Sequence, residues 1–513
     1  MKKKTTLLCL TLACLLLLSA CASSYAPSYA PSDTPATAAP SYDSDTERLP
    51  GETYLTIDEN AQVATDVESM LTFSLKVDTA AYSNVTRYIE SGTLPPRDAV
   101  RTEELLNYFN YDGELSFEPG SPFALYTELG PSPFHENSLM AFIRVKSVEI
   151  DKDELPSSNL TFLIDTSGSM NSYDKLPLLQ EAFSLLVETL DEDDRVSIVT
   201  YAGSSAVILD GTSGADKERI LSAINNLSAG GSTAGAQGIT TAYALAEKNY
   251  LEDGNNRVIL ATDGDFNVGL SSTDALAKLV GEKRGNGVYM SILGFGTGNI
   301  RDDIMETLSK EGNGNYSYIY NLSTAKKVLV EELAANLFTI ADDVKAQVEF
   351  NPQNVKSYRL IGYENRMLSN EDFTDDSKDA GEIGVGTDVV MMFELELHGS
   401  SAEYKYSSGT EAAEPDFANE LFELRIRYKD PGQTESKLLA APAFYDDITE
   451  MGSADFRFAC SVAAFSHLLR GSEHRGDATF AEVYALAEDA LGQDDGGYRM
   501  EYLRLLEQYE RLK

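Results

Sequence analysis

The stretch Leu160-Thr161-Phe162-Leu163-Ile164-Asp165-Thr166-Ser167-Gly168-Ser169-Met170 decides the fold. Its first five residues, Leu160–Ile164, read as a strand. A carboxylate, hydroxyls and a glycine then turn the chain, and an amphipathic run over 176–190 follows. This strand-then-helix unit repeats. Further strands are predicted at Arg195–Tyr201, Ala206–Asp210, Arg257–Ala261, Val288–Gly294 and Tyr316–Tyr320, and helices at 234–251, 273–284, 301–310 and 323–339. The alternation makes residues 158–341 an α/β domain with a doubly wound, mainly parallel, Rossmann-like sheet. The link between 201 and 206 is too short for a parallel crossover, so one edge hairpin is antiparallel.

In such sheets ligands bind beyond the carboxyl ends of the strands. Asp165, Ser167 and Ser169 stand after the first strand, Thr233 follows Gly230-Gly231-Ser232 at a helix start, and Asp263 lies in Thr262-Asp263-Gly264-Asp265 after the fourth strand. All offer oxygen. Two carboxylates and three hydroxyls suit a hard octahedral cation, Mg²⁺ or Mn²⁺, with waters completing its shell, whereas zinc would want His or Cys. Each of these residues alone could serve as a helix cap or turn residue. All five together, at matching strand ends, point to a metal. Asp265 and Asp174 are weaker candidates, the first beside the shell and the second a surface acid before a helix. The pieces DTSGSM, GGSTAG and TDGD resemble the metal-ion-dependent adhesion site of von Willebrand factor type A domains. That resemblance implies that Ser167, Ser169 and Thr233 offer hydroxyls to the metal, and that Asp165 and Asp263 bind it directly or through water.

Catalytic signatures are absent or broken. Gly230–Gly235 falls short of a nucleophile elbow because Ala234 stands at the second glycine, and His135, His398, His467 and His474 form no ligand-spaced pair. The run Gly294-Phe295-Gly296-Thr297-Gly298 lacks a full dinucleotide fingerprint and reads as close backbone turning.

Working outward, residues 52–157 form an α+β region, with a strand over 71–77, helices over 80–91 and 98–110 separated by Pro95-Pro96, and a period-two, half-buried strand within 122–150. Residues 342–450 are β-rich: Val344, Ala346, Val348 and Phe350 alternate with polar residues, as do Phe393, Leu395 and Leu397, and Phe422, Leu424, Ile426 and Tyr428. These flanks read as a β-sandwich with the α/β domain inserted at its tip. Residues 451–513 carry three helical stripes, the last of them Tyr498, Tyr502, Leu505, Tyr509 and Leu512, whose spacing favours packing over docking. Cys460 sits in the first of these helices as a small buried residue.

At the other end, Lys2, Lys3 and Lys4 precede an apolar run from Leu7 to Leu18, a secretory signal over residues 1–20 that is too short to span a bilayer comfortably. Leu18-Ser19-Ala20-Cys21 resembles the bacterial lipobox, which implies diacylation of Cys21. Cys9 and Cys14 leave with the signal, so no internal disulfide remains. The Ser-, Ala- and Pro-rich segment over 21–51 is a flexible linker that as a coil holds the first domain roughly 30 Å from the lipid.

The 513 residues suffice for about three cores. With 41 basic and 82 acidic residues the net charge is −41, which repels phosphates and excludes nucleic acid as a partner class while concentrating divalent cations. The stretch TFSLKVDTAAYSNVTRYIESGTLPPRDAVRTEELLNYFNY before the α/β domain, with a sheet-then-helix tail after it, is similar to a family of bacterial von Willebrand type A lipoproteins. The resulting expectation is a non-enzymatic binding protein, lipid-anchored on the extracytoplasmic side of a bacterial membrane, that recognises an acidic residue of a protein partner through its metal. The alternative is an envelope scaffold in which the metal is mainly structural.

Overall fold

The computed structural model describes residues 51–76, 78–231, 235–264, 273–398 and 417–513. The expected signal, Cys21 and the linker up to Pro50 lie outside them. The described residues belong to one compact unit. Its N-terminal region supplies β1 (Val63–Ala64), β2 (Met70–Ser74), α1 (Ala80–Glu90), α2 (Thr102–Leu106) and the hairpin of β3 (Phe123–Pro131) and β4 (Ser138–Ser147). The helix expected over 98–110 is reduced to a 3₁₀ turn at Arg97–Ala99 and to α2. Asn107 ends it. Its Nδ2 donates to the carbonyls of Glu103 (2.8 Å) and Val390 (3.1 Å), and its Oδ1 accepts from the Val390 N–H (2.7 Å), so the amide serves a distant strand instead of lying on a continuing helix.

After β4 the chain builds the α/β domain. Its sheet contains β5 (Ser158–Asp165), β6 (Arg195–Tyr201), β7 (Ser205–Ser213), β8 (Asn255–Thr262), β9 (Tyr289–Phe295) and β10 (Tyr316–Ile319), in the order β10-β9-β8-β5-β6-β7. Neighbours are parallel except β6 and β7, the antiparallel edge. Helices α3 (Leu176–Thr189), α4 (Lys217–Asn225), α5 (Gly235–Lys248), α6 (Thr273–Arg284) and α7 (Asp302–Glu311) complete the alternation. Leu160, Phe162 and Ile164 pack with Leu179 and Phe183 of α3, whereas Leu163 and Leu260 pack with Ile239 of α5 and Leu308 of α7. Two covered faces account for the unbroken apolar run that announced β5. The α/β class read from the sequence is the one observed.

Two details differ. Sequence periodicity does not announce α4, whose fully buried apolar residues are only Ile220 and Ile224. The single helix expected over 323–339 is instead α8 (Leu322–Lys326), a π turn over Lys327–Glu331, and α9 (Leu333–Leu337), with a strand starting at Thr339. The widened turn carries Lys327, whose buried ammonium lies 4.9 Å from the Tyr108 ring centre and 4.2 Å from that of Tyr498, and pairs with Glu332 at 2.8 Å.

The chain returns as β11 (Thr339–Phe350), β12 (Val355–Ile361), β13 (Met367–Leu368), β14 (Gly381–Gly384), β15 (Asp388–Leu397), β16 (Glu420–Lys429) and β17 (Ser436–Phe444). One sheet runs β1-β12-β15-β4-β3 and the other β13-β2-β11-β16-β17, with β14 against β11. Ile143, Val145, Val344, Val348, Phe393 and Leu424 interleave between them. The α/β domain is therefore inserted between β4 of one sheet and β11 of the other. On the far face of the first sheet, α10 (Ala454–Arg470), α11 (Phe480–Glu488) and α12 (Tyr498–Leu512) join α1 and α2 in a second core that takes in Phe109, Phe142, Phe458 and Tyr502.

That second core corrects the half-buried reading of β4. Phe142 and Arg144 lie on the side opposite Ile143 and Val145, yet are 0% and 1% exposed, so both sides of the strand are covered. Arg144 pairs with Asp388 at 2.5 Å and donates to the carbonyls of Gly113 (3.0 Å) and Tyr111 (2.8 Å), so its charge is compensated where helices from the chain's other end cover it. Tyr498, Tyr502 and Tyr509 are all buried. Cys460 is buried as well, and burial pushes its thiol pKa far up. Among the described residues no helix is long and apolar enough to cross a membrane.

Candidate metal centre

β5 and β8 lie side by side with Ile164 opposite Ala261, and β6 flanks β5 on its other side. The connection from β5 runs to β6 on one side and that from β8 to β9 on the other, which opens a crevice between the carboxyl ends of β5 and β8. Asp165 ends β5 and Asp263 follows β8, both fully buried. Asp165 Oδ1 accepts from the Ser167 N–H at 2.8 Å, and its Oδ2 from the Thr262 hydroxyl at 3.4 Å. The Ser167 and Ser169 hydroxyl oxygens are 2.9 Å apart, and Ser169 also hydrogen-bonds Asp263. The turn after β5 is pinned to the Gly230-Gly231 segment: the Gly230 N–H donates to the Thr166 carbonyl (2.8 Å), and the Gly168 N–H to that of Gly231 (3.1 Å). Asp165, Ser167, Ser169 and Asp263 thus gather at one strand edge. Thr233 and Asp265 lie outside the described residues. Asp174 is a turn acid that accepts from the Ser172 (2.5 Å) and Thr297 (3.2 Å) hydroxyls.

Sequence reasoning missed two participants. Lys175, at the entrance to α3, reaches back so that its Nζ donates to Asp263 Oδ2 at 2.9 Å and to Asn299 Oδ1 at 2.9 Å. A lone lysine ahead of a Leu-Pro helix start carries no sign of this in sequence. Asn299 belongs to the loop after β9, where Gly296 adopts φ +78° and Gly298 φ +90°, which bears out the reading of the Gly-Phe-Gly-Thr-Gly run as tight turning. The first described residues hold that loop. Glu52 accepts from the Gly298 N–H (3.0 Å), from Arg87 (2.9 Å) and from the Tyr88 hydroxyl (2.6 Å), and the Thr53 N–H donates to the Ile300 carbonyl (2.9 Å).

The two carboxylates differ in electrostatics. Burial pushes the Asp165 pKa up to about 6, against the hydrogen bonds from Ser167, and the Asp263 charge pushes in the same direction. Burial acts on Asp263 likewise, but the Lys175 charge and the hydrogen bonds from Lys175, Asn299 and Ser169 outweigh it and hold its pKa below the ordinary range. Two buried acids against one ammonium leave a surplus negative charge among hydroxyl oxygens. This donor chemistry fits a hard divalent cation, which Asp165, Ser167, Ser169 and Asp263 would hold. Among the described residues no group of three or more His, Cys, Asp or Glu side chains is placed to bind a metal.

Residues 159–335 match the family described as "von Willebrand factor type A domain", residues 49–141 that described as "von Willebrand factor", and residues 335–512 that described as "Uncharacterized protein YfbK, C-terminal". "Uncharacterized protein YfbK" of Escherichia coli (strain K12) is 43% identical over 463 residues, covering 88% of this chain and 80% of the relative. "Inter-alpha-trypsin inhibitor heavy chain H3" of Homo sapiens is 28% identical over 192 residues, 35% of this chain and 21% of that protein. Among solved structures, "von Willebrand factor type A from Catenulispora acidiphila" is similar with a TM-score of 0.42 at 14% identity, over 75% of this chain and 91% of that one.

Proposed function

The chain belongs to the YfbK family of bacterial von Willebrand factor type A proteins, and from that premise we propose that it is a lipid-anchored envelope protein that captures a protein partner through a divalent cation. Von Willebrand factor type A domains serve in adhesion and protein interaction and are not, as a rule, enzymes. The observation that carries the finer reading is the convergence of Asp165, Ser167, Ser169 and Asp263, all oxygen donors, at the carboxyl ends of the adjacent strands β5 and β8. In this reading Thr233 adds a third hydroxyl, Mg²⁺ or Mn²⁺ binds the set, and an acidic side chain of the partner completes the shell, because neutral hydroxyls leave the ion electrophilic. Acylated Cys21 holds the protein on the extracytoplasmic side of the membrane.

The test is capture from the organism's own envelope extract with Mg²⁺ or with chelator, using the wild-type chain and Asp165→Ala. A partner retained only with the cation and only by wild type is the expected result. Equal capture in all arms would overturn the adhesion reading and leave the scaffold, with its contacts on the sandwich or the C-terminal helices. For the anchor, Cys21→Ser should abolish labelled fatty-acid uptake, and undiminished uptake would refute it.

A further inference from the structure

We propose that Lys175 is an intrinsic counter-cation of the metal centre: a tethered ammonium that compensates Asp263 when no divalent ion is bound and lowers the site's affinity for one. The inference rests on the reading of the strand-end cluster as a divalent-cation site. Its support is geometric. The lysine and Asp263 side chains are 8% and 0% exposed, and the ammonium sits 2.9 Å from Asp263 Oδ2 and 2.9 Å from Asn299 Oδ1, so this is a buried, two-acceptor seat and not a surface pair. The stem lies directly against the backbone of Gly296. At Gly296 (φ +78°) a Cβ would fall 2.3 Å from both Cγ and Cε of Lys175. The lysine backbone is held too, its N–H donating to the Ser172 carbonyl (3.1 Å) and its carbonyl accepting the Leu179 N–H (2.8 Å) of α3.

Charge decides the consequence. Asp165 and Asp263 bring two negative charges and Lys175 returns one, so an incoming divalent ion meets less attraction than two carboxylates alone would give. It must also share Asp263 with a positive group a few ångströms away. Without the ion, however, a buried Asp263 stripped of its ammonium would be an uncompensated charge. Lys175 thus trades cation affinity for a folded, metal-free site.

Calorimetric titration of the full chain with Mn²⁺, beside thermal unfolding in chelator and in saturating Mn²⁺, tests this. Lys175→Met should bind Mn²⁺ at least about tenfold more tightly than wild type, and Lys175→Arg, which keeps the charge, should stay within about threefold. Lys175→Met should also melt below wild type in chelator, with the deficit closing when Mn²⁺ is added. Lys175→Gln serves if the Met variant does not fold. If wild type binds Mn²⁺ and the neutral variants bind no more tightly, the inference fails and the metal reading stands. If neither wild type nor variants bind, the metal reading fails and takes the inference with it.

Discussion

Each residue of the centre answers to its surroundings in a way that substitution can expose. Asp263→Asn should weaken Mn²⁺ binding by about tenfold or more while leaving an acceptor for Lys175, whereas Asp263→Ala strands a buried ammonium and should also lower the melting temperature. Titration and thermal unfolding of the pair separate loss of a metal donor from loss of a charge partner, and identical melting of the two variants would contradict the buried ion pair. Gly296→Ala meets two obstacles, a left-handed backbone and the Lys175 stem at 2.3 Å. It should cost at least about 1–2 kcal/mol in urea unfolding, and a silent substitution would mean that the lysine stem does not lie against Gly296.

Among the elements, α10 and α2 show how polar side chains lock helices onto the sandwich. On α10, His467 is 3% exposed, with Nδ1 2.8 Å from the Ala463 carbonyl and Nε2 3.2 Å from Arg359 Nη1. That arrangement suits a neutral ring donating through Nδ1 and accepting at Nε2. Burial, with the Arg359 charge behind it, lowers the ring's pKa from 6.5 to about 3. The unfolded chain takes up this proton below pH 6.5 and the folded one does not until about pH 3. Stability from His467 is therefore whole above pH 6.5 and drains as the pH falls, by as much as about 5 kcal/mol at the lower limit. His467→Gln should flatten the fall in melting temperature between those limits, and an unchanged slope would place the acid sensitivity elsewhere. On the α2 side, Asn107→Ala leaves the Val390 N–H without its 2.7 Å acceptor and should cost about 1–3 kcal/mol in chemical unfolding.

At the scale of the whole molecule, the inserted domain is tied to its host by buried charge. Arg101 binds Asp302 of α7 at 2.6 Å and also pairs with Glu104, while Arg366 binds Glu306 of α7 at 2.5 Å and Asp78 at 2.8 Å. All six side chains are nearly or fully buried. Removing a cation from such a lattice leaves acids without compensation. Arg101→Met should lower whole-chain stability by about 3–5 kcal/mol and raise hydrogen exchange in α7 ahead of the rest of the α/β sheet. Exchange that rises only in α2 would show that the two parts are not coupled through this lattice.

Patterns that repeat over short distances were legible in the amino-acid sequence. The unbroken run Leu160–Ile164, the period-two alternation of Val344 to Phe350 and the apolar stripe of α12 each state their element and its buried face, because strand and helix geometry impose their periods on neighbouring residues. The oxygen-rich turns at Asp165 and Asp263 were legible for a related reason, since a doubly wound sheet presents the residues just beyond its strand ends to ligands. Tertiary structure alone decided what covers what. No local pattern could reveal that helices from the last sixty residues bury Phe142 and Arg144 of β4, that Asn107 ends α2 by reaching Val390, or that Glu52 grips the loop bearing Asn299. Nor could any reveal that Lys175 takes up half the charge of the candidate metal centre by crossing to Asp263, 88 residues along the chain. Such pairings depend on chain closure over long separations, and a side chain's charge and size carry no record of the partner that closure will bring to it.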